Sequence, residues 1–211
     1  WVNSSTPLHN AALLTECGQI EPRARALILL VKRWAKDRGI CHAAKGHLSP
    51  YAWTLLVIYF LQVGVKNCGP MLPPLADFGL SSKLAKADVA GDDGHGQPRK
   101  RWIPPQEAAG RTVGALFKEF VTFYAEDFNF SKEAVSVRLA RRAAPDSSMP
   151  VHFIVDEDGR TEVAPSIEDP FDTGRNLGEC STAISLCRLR EELVRADGIC
   201  HQGGSLAELL E

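Results

Sequence analysis

Lys32 and Lys36 stand four residues apart in a segment whose apolar residues recur at helical spacing. On a helix they share one face with Cβ atoms about 6 Å apart, and two ammonium groups so held repel each other unless an anion lies between them. A triphosphate is a suitable anion. Solvated lysines beside an apolar stripe explain the same spacing, and spacing alone favours that plainer account. Ser49-Pro50-Tyr51 opens a second apolar segment. A helix start offers free N–H groups and partial positive charge to phosphate, and an aromatic ring beside it can stack on a base, worth about 1–3 kcal/mol. An ordinary cap followed by a core tyrosine accounts for the same three residues. Further on, Ile167-Glu168-Asp169-Pro170-Phe171-Asp172-Thr173-Gly174-Arg175-Asn176 packs two aspartates and a glutamate around a proline, a glycine and an arginine. Such a loop can present hydrogen-bonding groups to a base edge. It also fits an acidic turn before the last helix, with Asn176 or Ser181 as cap.

Other chemistry-bearing sets are weaker. Asp156-Glu157-Asp158 has a spacing that can hold Mg²⁺, but it sits between two apolar stretches and ahead of Gly159, as a hairpin turn would. Cys41-His42 with His47, and Cys200-His201, contain ligand types without a zinc spacing. Residues 91–96 are glycine-rich but lack the Gly-Lys-Ser/Thr ending of a phosphate loop. No metal site and no catalytic residue is expected within this chain.

These groups need elements to position them. Leu27, Leu30, Val31 and Trp34 predict a helix over 23–38, with Pro22 suited to its first position and Gly39 to its stop. Ser49 is a good N-cap for a helix over 49–65, which Pro50 suits in the first turn. Residues 51–65 carry no charge and are fewer than the roughly 20 that span a bilayer, so a buried core helix is expected. A short apolar run lies within 10–18, and an amphipathic helix begins near Thr112 with Val113, Leu116, Phe117, Phe120, Val121 and Tyr124. Residues 67–106 read as a long irregular stretch holding Pro70, Pro73, Pro74 and the triplet Arg99-Lys100-Arg101. Residues 134–139 alternate like a strand, 151–155 and 160–163 flank the 156–159 turn as a hairpin, and 181–197 reads as a last helix. The expected fold class is α+β, mainly helical, with a small antiparallel sheet from segments near Val135, Phe153 and Glu162.

Composition narrows the setting. An apolar share of 45% and a charged share of 24% suit a globular chain. The formal charge of −2 excludes a global basic field, so any nucleic-acid contact must come from local Lys/Arg clusters. Six cysteines without a Cys-x-x-Cys pair read as reduced thiols of an intracellular protein, cytoplasmic in the first instance, with nucleus or organelle open. The first residue is Trp and no signal peptide is evident, so the chain is expected to begin inside a longer protein.

Four segments in order resemble the noncanonical poly(A) polymerases and terminal uridylyltransferases. They are Leu8-His9-Asn10-Ala11-Ala12-Leu13-Leu14; Val31-Lys32-Arg33-Trp34-Ala35-Lys36-Asp37-Arg38-Gly39-Ile40; Leu48-Ser49-Pro50-Tyr51 with 55–62 and the prolines of 70–75; and 167–176. The stretch 113–130 is similar to the start of that family's poly(A) polymerase-associated domain. The resemblance covers nearly all of the chain outside about 77–111. It implies the carboxy-terminal part of a nucleotidyltransferase: a central helical region over 1–75, a flexible insertion over 76–111 and the associated domain over 112–211, packed as one unit.

It further implies that Asn10 contacts the ribose, Lys32 and Lys36 hold the triphosphate, Ser49 and Tyr51 hold the phosphate tail and stack on the base, and Asp169, Asp172 and Arg175 lie where the base edge is read. Substrates would be UTP or ATP and an RNA 3′ end, with Mg²⁺ or Mn²⁺ held by three aspartates of a missing amino-terminal catalytic domain, the last falling just before Trp1. The chain alone would then be inactive, and no membrane is implied. Two departures stand out. Pro50 occupies a position that is usually serine, removing a hydroxyl donor, and Arg175 stands where uridylyltransferases often carry histidine. Arginine has only donors, which suit the carbonyl oxygens of uracil better than the mixed edge of adenine. The competing expectations are a catalytically inactive family member acting as an RNA- or nucleotide-binding scaffold, and a helical protein-interaction module using 99–101.

Overall fold

The computed structural model describes residues 6–79 and 102–211. The glycine-rich run 91–96 and the basic triplet 99–101 lie outside the described residues.

Helix α2 (Pro22–Asp37) follows from its ends and its stripe. Glu21 caps it by accepting from the Arg23 N–H, Pro22 sits where a missing N–H costs nothing, and Gly39 closes it with φ of 71°. Ala24, Leu27, Ile28, Val31, Trp34 and Ala35 are buried on one face, which leaves Lys32 and Lys36 to the other. Helix α1 (Thr6–Ile20) runs longer than the apolar run implied and buries Leu13 and Cys17.

Helix α3 (Pro50–Val63) is the core element. Every residue from Ala52 to Gln62 is buried, so no solvent-facing stripe exists. Two of its buried side-chain donors are matched: Trp53 Nε1 donates to the Ile40 carbonyl at 3.2 Å, and Gln62 Nε2 donates to Pro73 at 2.7 Å and Val137 at 3.0 Å. No helix among the described residues is long and apolar enough to cross a membrane. Just beyond the helix, Gly64 lies so close to Phe60 and Phe123 that a Cβ would meet them at 2.7 and 3.0 Å, so a larger residue would force the aromatic layer apart. That layer comes from α4 (Val113–Thr122) and a π-helical turn over Phe123–Asp127, whose Tyr124 hydroxyl donates to the Leu56 carbonyl at 2.8 Å.

The strands differ in grouping from the sequence-based expectation. β1 (Ala134–Val135) is only two residues long and pairs in parallel with β4 (Ser166–Asp169), which pairs antiparallel with β5 (Asp172–Asn176). β2 (Phe153–Val155) and β3 (Thr161–Val163) form a separate antiparallel hairpin. The alternation over 134–139 does not extend the strand, because the chain turns after Val135. Arg138 and Ser136 fold back there onto the buried Glu168 carboxylate, Arg138 Nη2 at 2.6 Å and the Ser136 hydroxyl in a short hydrogen bond. The base of the β2–β3 hairpin is tied by Ala164 N–H to the His152 carbonyl at 2.9 Å.

Residues 167–176 are a β-hairpin rather than a loop. Asn176 does not cap a helix; its Oδ1 accepts from the Ile167 and Gly178 N–H groups, and its Nδ2 donates to Pro150. The last long helix, α5 (Ala183–His201), is capped instead by Thr182, in a box with Ser185, and a short α6 (Leu206–Leu210) follows. Arg38 at the end of α2 reaches Glu192 of α5 at 2.8 Å, and Arg188 shares that carboxylate at 2.6 Å.

Glu168 is 2% exposed in its side chain, so its charge depends on Arg138. Arg138→Ala is expected to destabilise the fold by about 2–3 kcal/mol, below the roughly 3–5 kcal/mol for a fully desolvated pair, because the Arg138 side chain keeps 34% of its exposure. The midpoint of urea unfolding reads this, and Arg138→Ala with Glu168→Gln should regain part of the loss. An unmoved midpoint in the single variant would refute the role assigned to the pair.

Candidate functional site

With Leu27, Val31 and Trp34 turned to the core, α2 sends Lys32 and Lys36 to a surface cleft of about 630 Å³. Arg33, Gly39, Cys41, His42, Lys45 and Pro50 complete its lining, and no carboxylate is among them. Arg33 is occupied by Asp37, Nε to Oδ2 2.5 Å. Lys32, Lys36 and Lys45 make no ion pair among the described residues. Burial raises the Cys41 thiol above its ordinary value, and Lys32 and Lys36 pull it back down, so the sulfur lies within the field of both ammonium groups.

The start of α3 adjoins this cleft through Pro50. Ser49 Oγ accepts from the Ala52 N–H at 3.0 Å, which fixes the first turn. Tyr51 follows, half-buried, and its hydroxyl donates to Asp169 Oδ1 at 3.5 Å. Asp169 has no exposed side-chain surface. Its other contacts are the Phe171 N–H at 3.1 Å and Arg175 Nη1 at 3.4 Å. Arg175 is anchored at one end only, its side chain 46% exposed, so further N–H groups remain for a ligand. Burial, then the Asp169 charge and the hydrogen bond to it, push the Tyr51 phenol well above its ordinary range, against a smaller opposing effect of Arg175. The hydroxyl is therefore a donor at any physiological pH.

Helix α1 reaches the same hairpin by the His9 ring, 5.1 Å from the Phe171 ring between centroids. Asn10 is next to it, half-buried, with its side-chain oxygen buried and lacking a hydrogen-bond partner among the described residues. Tyr51, Asp169 and Arg175 thus touch directly, Lys32 and Lys36 share one cleft with Pro50, and Ser49 stands beside them at the helix start. Asp172 is apart: it lies opposite Asp169 in the ladder, exposed, and its side chain makes no hydrogen bond or ion pair among the described residues. Glu168, the neighbour of Asp169 on β4, stays outside the cluster and belongs to Arg138 and Ser136.

Sequence reasoning passed over Lys45 and weighed His42 only as a metal ligand, yet both line the cleft. The signal was the glycine at 46, whose φ of 78° folds 43–45 back toward α2. Among the described residues no three His, Cys, Asp or Glu side chains group as metal ligands.

A family signature described as Cid1 family poly A polymerase matches residues 112–175. Terminal uridylyltransferase cid1 of Schizosaccharomyces pombe is 30% identical over 92% of this chain and 48% of its own length. Poly(A) RNA polymerase GLD2-A of Xenopus laevis is 30% identical over 99% of this chain and 38% of its own length. A solved structure of the Cid1 poly(U) polymerase with MgGTP bound matches with a TM-score of 0.70 at 25% identity, over 96% of this chain and 59% of that one. The chain belongs to the noncanonical poly(A) polymerase and terminal uridylyltransferase family. It spans half or less of the length of these two curated relatives.

The three tyrosines of the chain share one electrostatic condition. Burial raises Tyr51, Tyr59 and Tyr124, with Asp169 adding to the first and Glu133 to the second. Each is neutral when folded and ionises near pH 10 when unfolded, so their contribution to stability is complete below about pH 10 and declines as pH rises above it. Near-ultraviolet phenolate absorbance should stay flat through about pH 10 in the folded chain and rise only with unfolding. A phenol titrating near pH 10 before circular dichroism changes would contradict the burial of these rings.

Proposed function

We propose that this chain is the nucleotide-binding part of a template-independent RNA 3′-terminal nucleotidyltransferase, adding UMP or AMP from UTP or ATP to RNA 3′ ends. One observation carries the reading: lysines one turn apart, unpaired among the described residues, line a cleft that ends on Pro50 at the start of α3, and the next residue, Tyr51, meets the buried Asp169 that Arg175 also contacts. Two cations without carboxylates suit a phosphate chain. The Tyr51 ring offers a face to a base, and the free Arg175 donors suit carbonyl oxygens at its edge, which inclines the site to uracil. The unpartnered Asn10 oxygen suits a ribose hydroxyl donor. Ser49 adds the N-terminal turn of α3 to the phosphate side, and Asp172 remains at the rim of the base side.

On this reading the chain divides into a helical region over 1–75, an insertion over 76–111 and the associated domain over 112–211. The metal-binding aspartates, and the Mg²⁺ or Mn²⁺ they hold, belong to another part of the full-length protein, so this chain alone is inactive. Six free cysteines suit a reducing compartment, the cytoplasm first. A second reading, an inactive family member that binds nucleotide or RNA as a scaffold, draws on Pro50, which lacks the hydroxyl donor of a serine, and on Arg175, which stands where uridylyltransferases often carry histidine.

The full-length protein should extend a labelled RNA at its 3′ end with Mg²⁺ or Mn²⁺ and UTP or ATP. Lys32→Ala with Lys36→Ala should raise the nucleotide KM about 10-fold or more. Tyr51→Ala should weaken nucleotide binding about 10–100-fold, while Tyr51→Phe, which keeps the ring but withdraws one donor from the buried Asp169, should lose no more than about 5-fold. Nucleotide binding without extension in every condition would favour the scaffold, and neither binding nor extension would sink both readings.

A further inference from the structure

The cleft holds more positive charge than the Lys32/Lys36 pair. The turn over Ala43–Lys45 brings His42 and Lys45 to the same wall, which the Tyr51–Asp169–Arg175 cluster does not line. Cys41, the residue that feels both α2 lysines, is the link between the two sets. The turn is held in place. The His42 carbonyl accepts from Lys45 N–H at 2.9 Å and His47 N–H at 3.2 Å, and Gly46 N–H donates to Ala43 at 3.0 Å. Gly46 lies against the start of α5: a Cβ there would come within 2.9 Å of Thr182 Cγ2 and 3.4 Å of the Cys180 carbonyl. Cys180 Sγ lies 3.3 Å from the His47 carbonyl. Lys45 is thus carried on a braced turn, exposed, and without an acidic partner among the described residues. In a chain of net charge −2, three such lysines converging on one cleft repel each other, and a polyanion relieves that cost.

We propose that Lys45 and His42 form a second anion subsite, beyond the Lys32/Lys36 pair, for the pyrophosphate group: the terminal phosphates of a bound nucleoside triphosphate, and free inorganic pyrophosphate. The proposal rests on the nucleotide reading of the cleft. Lys32, Lys36, His42 and Lys45 line one cleft with Pro50, so a phosphate chain held by the first two lysines has the 42–45 turn within the same cleft. An RNA backbone is the other polyanion that could meet this charge, and the titration separates the two. A consequence is that this protein retains pyrophosphate more tightly than the Lys32/Lys36 pair alone would allow.

Calorimetric titration of the chain with inorganic pyrophosphate, UMP and an RNA oligonucleotide tests this, using wild type, Lys45→Ala/His42→Ala and Lys32→Ala/Lys36→Ala. Both 42 and 45 are exposed, so the first double variant removes no buried contact; circular dichroism checks its fold. It should weaken pyrophosphate binding about 10-fold while leaving UMP affinity within about 2-fold. Unchanged pyrophosphate affinity in that variant, with loss in Lys32→Ala/Lys36→Ala, overturns the second subsite and leaves the nucleotide cleft standing. Weakened RNA binding with unchanged pyrophosphate affinity overturns it in favour of an RNA contact. No binding of pyrophosphate or UMP to wild type overturns the nucleotide reading itself.

Discussion

A carboxylate taken wholly out of water must be met by donors from whatever packs around it, and Asp169 meets this demand from three directions. Tyr51 comes from the first turn of α3, the Phe171 N–H from its own hairpin tip, and Arg175 from the returning strand. Residues more than a hundred positions apart in sequence are thereby held at one point. Loss of the charge would release both the tyrosine and the arginine, so the shape of the candidate site depends on this one buried group more than on any apolar contact near it.

The rest of the molecule makes that meeting point rigid. Helix α3 is buried from Ala52 to Gln62, so it reaches the surface only at its ends, and at the first of these Ser49 and Pro50 start it. The helix is clamped from one side by Trp34, which meets Trp53 edge-on with ring centroids 5.6 Å apart, and from the other by the aromatic layer of Phe120, Phe123 and Tyr124 around Phe60. Close packing of this kind transmits position rather than absorbing it. Lys32 and Lys36 are on the same α2 that carries Trp34, so the lysine-lined cleft and the Tyr51–Asp169–Arg175 cluster are referred to one scaffold.

Local physics was plain in the sequence where it was sufficient. The stripe and ends of α2, the Ser49 cap, the uncharged α3 and the turn at Asp156–Gly159 all follow from side-chain periodicity and backbone preference within a few residues, and the structure forms each of them. The sheet was not legible. A two-residue β1 carries no pattern of its own, and its parallel partner β4 lies about thirty positions away, so only tertiary packing selects the pair. Residues 167–176 read as an acidic loop because burial of Glu168 and Asp169 cannot be seen without their partners Arg138, Ser136 and Tyr51. Thr182 outcompeted Ser181 as cap through its reciprocal bond with Ser185. Lys45 was hidden for a related reason: nothing around it is periodic, and its place in the cleft depends on the left-handed Gly46.

The β2–β3 hairpin is an excursion between β1 and β4 whose base is laced shut, by Ala164 to His152 and by Asn176 to Pro150. Its tip at Asp156–Gly159 carries only local bonds, and the outward Phe153 and Val155 are largely exposed. A peptide spliced in at Gly159 would therefore hang from a closed stem, leaving the β1–β4 register undisturbed. The hairpin is a place where this scaffold can accept an epitope or a fluorophore, or lengthen over evolutionary time, without retuning the rest of the described structure.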